Sequence, residues 1–181
     1  MNLSIPVREN IILRTLNISD AQEFFDIARK NDIHLREWLG WLDEDKTVAD
    51  TEKYIEGSNK RFEDKEGLDL GIFYNDKQIG GIGLFPWDTA NKKTSIAYWL
   101  DEDFQGKGIM TDSLKKVIEY AFTEMGLNRI EITVAVENIK SSALPKKLGF
   151  VLEGIAREGG WLYDHFVNLE VYSLLAREWR N

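Results

Sequence analysis

Two rhythms of apolar residues alternate along this chain, one of period two and one near 3.6, and their order predicts a mixed α/β fold. The run Ile11 to Thr15 has strand character, and Ser19-Asp20 offers an N-cap ahead of Ala21, Phe24, Phe25 and Ala28 at helical spacing. Leu35 to Leu42, with Trp38 and Trp41 among its leucines, and Thr47 to Phe62, with Val48, Ile55 and Phe62 turned inward, predict further helical segments. From Leu68 the period shortens: Leu70 to Tyr74, Gln78 to Phe85 and Thr94 to Leu100 read as strands, the first two joined by the turn residues Asn75-Asp76. Leu114, Val117, Ile118, Ala121 and Phe122 then mark one face of a long helix that stops at Gly126.

Ile130, Ile132, Val134 and Val136 alternate with Glu131, Thr133, Ala135 and Glu137, as in a strand with two unlike faces. A short helix is expected from about Ser142 to Leu148, closing at Gly149. Val151 to Arg157 and Val167 to Ala176 supply two last strands, bridged by Gly159-Gly160 and Tyr163-Asp164. The expected fold is α/β (α+β): a mixed, mostly antiparallel central sheet of about six to seven strands with helices on both faces. No repeat, low-complexity tract or Pro/Ser linker interrupts the chain, so residues 1–181 are expected to form a single domain.

Composition narrows the chemistry. No run approaches the roughly 20 apolar residues of a membrane span, and the N-terminus lacks the basic-then-apolar form of a signal peptide, so a cytoplasmic protein is expected. With no cysteine and only two histidines, His34 and His165, thiol nucleophiles and thiolate metal sites are excluded and no metal is implied. The formal net charge of −8 opposes adhesion to nucleic acid and suits a cationic partner such as a basic peptide or an amine, although acidic balance also simply keeps proteins soluble.

The segment Tyr98-Trp99-Leu100-Asp101-Glu102-Asp103-Phe104-Gln105-Gly106-Lys107-Gly108-Ile109-Met110-Thr111 runs from a strand through a glycine-bearing loop into the long helix. Amides at such a helix start have no internal acceptor and sit at its positive end, so they suit a phosphate or pyrophosphate. A GxxxxGK[ST] loop does not fit, because residue 101 is Asp and Lys107 is followed by Gly108; a GxGxxG loop does not fit, because residue 111 is Thr.

Gln105-Gly106-Lys107-Gly108-Ile109-Met110 instead resembles the coenzyme loop of GNAT N-acetyltransferases, with Met110 departing from the usual small final residue. Tyr98-Trp-Leu-Asp-Glu, Asn138-Ile-Lys-Ser141 and Leu148-Gly-Phe-Val-Leu-Glu-Gly154 resemble the RimJ/RimL group of that family in wording, order and spacing. The resemblance implies a GNAT fold with a splayed strand pair that admits acetyl-CoA as acetyl donor. Main-chain groups of Trp99 and Leu100 are then expected at the pantetheine, and Gln105, Gly106, Lys107, Gly108, Ile109, Met110 and Thr111 at the pyrophosphate. Asn138 matches the coenzyme-contacting asparagine, and Ser141 the position assigned as acid for the departing thiolate.

A structural reading stands beside that one, in which Asn138 and Ser141 only cap a helix. The tyrosine that many family members carry seven residues after the asparagine is here Pro145, and Tyr172 is another phenol available to the site or to packing. Asp69 is the candidate base, with Glu66, Asp88 and Asp103 as further acidic residues. Trp38-Leu39-Gly40-Trp41 either walls an acceptor groove or packs in the core, and His34 reads as a polar surface residue.

The resemblance further implies a ribosomal-protein N-terminal amine as acceptor and a homodimer, with no DNA or membrane partner. Two alternatives remain at this point: acetylation of a small amine such as a polyamine or aminoglycoside, and a noncatalytic acyl-CoA-binding module.

Overall fold

The computed structural model describes residues 3–43 and 46–180. Eight strands form one sheet: β1 (Ser4–Arg8), β2 (Ile11–Thr15), β3 (Leu68–Tyr74), β4 (Lys77–Leu84), β5 (Lys93–Leu100), β6 (Arg129–Ala135), β7 (Val151–Leu162) and β8 (His165–Leu175). Their spatial order is β1-β2-β3-β4-β5-β6-β8-β7, and only the β5–β6 pair is parallel. The sheet exceeds the expected size by the edge strand β1, whose residues are at most half-buried and so carry little hydrophobic signal. Asn75 and Asp76 both adopt positive φ (47° and 64°), the conformation that a two-residue turn between β3 and β4 demands.

The helices are α1 (Ala21–Lys30), α2 (Asp32–Arg36), α3 (Val48–Glu63), α4 (Ile109–Thr123) and α5 (Ile139–Lys147). Sheet register decides which side chains share a face. Leu13, Ile72, Ile82, Ile96, Ile130 and Ile132 fall on one face, where Leu114, Val117, Ile118 and Ala121 of α4 bury against them. Phe73 points the other way and joins Leu16, Ala21, Phe24, Ala28, Leu35 and Ile55 beneath α1 to α3. The long buried pattern of α4 thus answers one sheet face and the shorter amino-terminal helices the other.

Four details differ from the sequence reading. Asp20 precedes α1 at the N-cap position but makes no side-chain cap: its turn runs straight into the helix, and its carboxylate accepts from the Asn17 amide (2.7 Å) and from Arg14 (2.7 and 2.9 Å). Leu35 to Leu42 is not one helix, since α2 ends at Arg36 and a 3₁₀ turn follows at Gly40–Asp43. α5 starts at Ile139, because Asn138 rather than Ser141 caps it, and it carries Pro145 inside. β7 continues through Gly159-Gly160 to Leu162, a bulge absorbing the glycines, so only Tyr163-Asp164 turns the hairpin.

Candidate active site

A gap opens between the two parallel strands. β5 and β6 pair only at Lys93–Arg129, Thr94–Ile130 and Ser95–Glu131, after which β5 stays with β4 as far as Leu100 and β6 with β8 as far as Ala135. The Phe85 amide donates to Ser95 O (3.0 Å) and the Asp101 amide to Ile79 O (2.8 Å), so odd-numbered residues of β5 turn their main chain to β4. By alternation the main-chain groups of Tyr98 and Leu100 face the gap, where β6 no longer meets them. Buried peptide groups require partners, and an extended ligand carrying amides meets that requirement. Trp99 commits its main chain to β4 and sends its indole to the opposite face of the sheet.

At the open end of β5 lies the glycine loop. Gly106 and Gly108 hold φ of 72° and 76°. The first bond of α4 runs from the Asp112 amide to Gly108 O (3.0 Å), leaving the amides of Ile109, Met110 and Thr111 without a helical acceptor. The side chains of all three are buried, which explains why a methionine fits at 110: it packs into the core below the loop. Lys107 donates to Asp103 O (2.7 Å) and lies over the Phe104 ring.

Partners far away in sequence hold this loop. Lys30 bonds Asp101 (2.9 Å) and Asp103, the Asn31 amide oxygen accepts from the Glu102 amide (2.9 Å), and Gln105 Nε2 lies 2.7 Å from His34 Nε2. Each pair is separated by 71 or more positions, and an amide nitrogen only donates, so the His34 nitrogen accepts. Lys30 holds the Asp103 carboxyl below its ordinary range. Arg8 adds bonds to Lys107 O (3.1 Å) and Asp112 (2.9 Å). The sequence reading left Lys30, Asn31 and His34 out of the site, because no local pattern marks a contact made across such a separation.

Asn138 and Ser141 sit together at the start of α5. Asn138 Oδ1 accepts from the Ser141 amide (3.0 Å), so the asparagine is a helix cap. Ser141 spends its hydroxyl differently: Oγ donates to Tyr98 Oη (3.1 Å), and Tyr98 donates to the Ser141 carbonyl (3.1 Å). Burial pushes the Tyr98 phenol up to about 12 despite its bond to Ser141, so it stays protonated through the neutral range. Tyr172 is fully buried and donates to Glu170 (2.8 Å), which makes it a packing residue.

On the other face of the sheet a cleft of about 870 Å³ opens beneath α1 and α3. Its floor includes Asp69, Gly81, Gly83, Ala97 and Trp99, and the two glycines let their neighbours lie flat across the sheet: a Cβ on Gly83 would stand 2.8 Å from Asp69 Oδ1, and one on Gly81 2.8 Å from the Trp99 indole nitrogen. Phe24 packs against Trp41, Tyr54 and Trp99 at ring-centroid distances of 6.0, 5.6 and 5.4 Å, forming an aromatic wall. Trp41 therefore lines the cleft, whereas Trp38 does not. Asp69 is 6% exposed and bonds Arg61 (2.7 Å), while Asp50 and Glu66 also border the space. Asp88 and Asp103 lie elsewhere, the former closing a turn on Asn91 (2.7 and 2.9 Å). Register places Asp69 and the Tyr98–Ser141 pair on opposite faces, and Tyr98 also borders the cleft.

Residues 10–151 match the family described as "Acetyltransferase (GNAT) domain". The chain is 39% identical over 175 residues to "Putative ribosomal N-acetyltransferase YdaF" of Bacillus subtilis (strain 168), covering 96% of this chain and 95% of that one. It is 28% identical over 173 residues to the ribosomal-protein-serine acetyltransferase of Escherichia coli (strain K12), covering 96% and 97%. Among solved structures, the microcin C7 self-immunity acetyltransferase MccE, crystallised with acetyl-CoA and AMP, superposes with a TM-score of 0.89 at 30% identity, covering 93% and 94%.

Proposed function

The chain belongs to the GNAT acetyltransferase family, and from that membership we propose that its acceptor is the N-terminal α-amine of a ribosomal protein. Transfer of an acetyl group from acetyl-CoA to an amine is its reaction. The observation that carries the acceptor reading is the cleft: its roughly 870 Å³ exceeds what an amine head requires, and its aromatic wall and acidic floor suit a chain end with a side chain beside a cation. Two relatives named for ribosomal acetylation support the same reading.

In this reading the main chain of Tyr98 and Leu100 holds the pantetheine in the gap, the Trp99 indole walls the acceptor side, and the amides from Gly106 to Thr111 take the pyrophosphate. Gln105 and Lys107 shape that loop, and Asn138 fixes the start of α5 beside the coenzyme. Asp69 receives the incoming amine, held in place by Arg61. An α-amine with a pKa of about 7.7 to 8.0 is partly neutral near pH 7, so it needs little help to lose a proton. Its nitrogen attacks the thioester carbon, the C–S bond breaks, and the proton lost by the amine ends on sulfur. A thiol with a pKa of about 8.5 is a modest leaving group, and a hydrogen bond from Ser141 is enough to assist it.

The apolar residues exposed on β7 and β8, among them Val151, Ile155, Trp161 and Phe166, support a homodimer, which equilibrium sedimentation tests. No helix among the described residues is long and apolar enough to cross a membrane. A cytoplasmic setting, where acetyl-CoA meets nascent ribosomal proteins, fits the reading, and the net charge of −8 disfavours duplex DNA as a partner.

The test follows thiol release from acetyl-CoA with peptides copying ribosomal-protein N-termini, alongside spermidine and an aminoglycoside. Release with the peptides, reduced about 100-fold in kcat by Ser141→Ala while coenzyme binding persists, is the expected result. Release with small amines alone overturns the acceptor, and coenzyme binding without release for any amine returns the chain to an acyl-CoA-binding role.

A further inference from the structure

Pro145 changes what Ser141 can do. In α5 the carbonyl of Ser141 should accept from the amide four residues on, but residue 145 is proline and has no N–H. A half-buried carbonyl left open by the helix takes another donor, and the donor here is the Tyr98 phenol at 3.1 Å. Because that phenol has one proton and gives it to the carbonyl, its oxygen is free to accept, and Ser141 Oγ donates to it at 3.1 Å.

We propose that Tyr98 is a positioning residue for acetyl transfer, a bridge across the open gap from β5 to α5 that Pro145 makes possible and that holds the Ser141 hydroxyl at the leaving sulfur. The inference rests on the role given to Ser141 above. Tyr98 lies three residues beyond the last β5–β6 pair, Ser95–Glu131, so its ring spans the distance the sheet no longer closes. It also borders the acceptor cleft, so it touches both sides of the site. When sulfur becomes anionic, Ser141 Oγ–H turns to that stronger acceptor, and the phenol, still protonated, keeps the serine backbone fixed. The family tyrosine that Pro145 replaces is thereby exchanged for a phenol on β5 that acts through Ser141.

Steady-state kinetics of single and double variants, with melting curves to check folding, test the proposal. Tyr98→Phe, which removes only the hydroxyl, is expected to lower kcat about tenfold with KM for acetyl-CoA within about twofold, and to add nothing to Ser141→Ala. Pro145→Ala restores the helical N–H, competes for the Ser141 carbonyl, and is expected to shrink the effect of Tyr98→Phe in its background. A wild-type kcat in Tyr98→Phe, or losses that multiply in the double variant, overturns the positioning role while leaving the reading of Ser141 intact. A loss confined to KM for acetyl-CoA overturns it in favour of a brace for the gap. A wild-type kcat in Ser141→Ala overturns both.

Discussion

Gly108 holds φ 76° at the start of α4, and the nearest atom to a Cβ placed there, an Asp112 oxygen, is 3.9 Å away. A side chain at this position therefore meets space but not a permitted conformation, and Gly108→Ala carries the left-handed cost of about 1–2 kcal/mol. If the loop relaxes to escape that strain, its amides leave the pyrophosphate. Acetyl-CoA affinity measured by calorimetry should then fall about tenfold, with little change in melting temperature. An unchanged affinity would remove the loop from the coenzyme site. At this scale much of the candidate site is legible in sequence, because glycine before a helix and Asn138 three residues before Ser141 are local patterns. Tyr98 stands inside the same motif, yet its role depends on a proton that Pro145 lacks 47 positions later, and no spacing rule couples the two.

Between elements, the far half of the sheet is tied by Arg129 of β6, which reaches Glu153 of β7 through two bonds (2.7 and 2.6 Å), while Ser173 of the intervening β8 donates to the same carboxylate (2.7 Å). Arg129 first, and Ser173 after it, bring the Glu153 carboxyl down to about 2. A depressed carboxyl stabilises the folded state fully above its unfolded pKa and loses that contribution as pH falls toward the folded value. Because Glu153 is 42% exposed, solvent screening limits the effect to about 1 kcal/mol or less. Denaturant melts of Glu153→Gln should show it less stable than the wild type near neutrality, with the difference closing between about pH 4.5 and pH 2. A difference independent of pH would assign the loss to packing instead of ionisation. Element identities were readable from period, but the edge strand β1 and the broken helix at Leu35 to Leu42 were not. An edge strand buries too little to alternate clearly, and Trp41 turned to the cleft instead of continuing a helical face.

For the molecule as a whole, the net charge of −8 and the acidic residues around the cleft predict that a basic peptide is drawn in by long-range attraction. Its kcat/KM should decline as salt rises from 20 to about 300 mM, through which the screening length drops below about 10 Å, while a neutral peptide of the same length should respond weakly. Equal salt responses would show that charge plays no part in acceptor capture. The sequence by itself determined the element types, the glycine loop ahead of α4 and the resemblance that carries the chemistry, since each rests on residues adjacent in the chain or related by one helical or strand period. Only the tertiary structure decided where β5 and β6 part, that Lys30, Asn31 and His34 clamp the loop, and that Trp99 and Asp69 lie against glycines 81 and 83 in a cleft on the face opposite Ser141. The physical reason is register: a shift of one residue moves every side chain of a strand to the other face, and register is set by pairing between strands that the sequence keeps far apart.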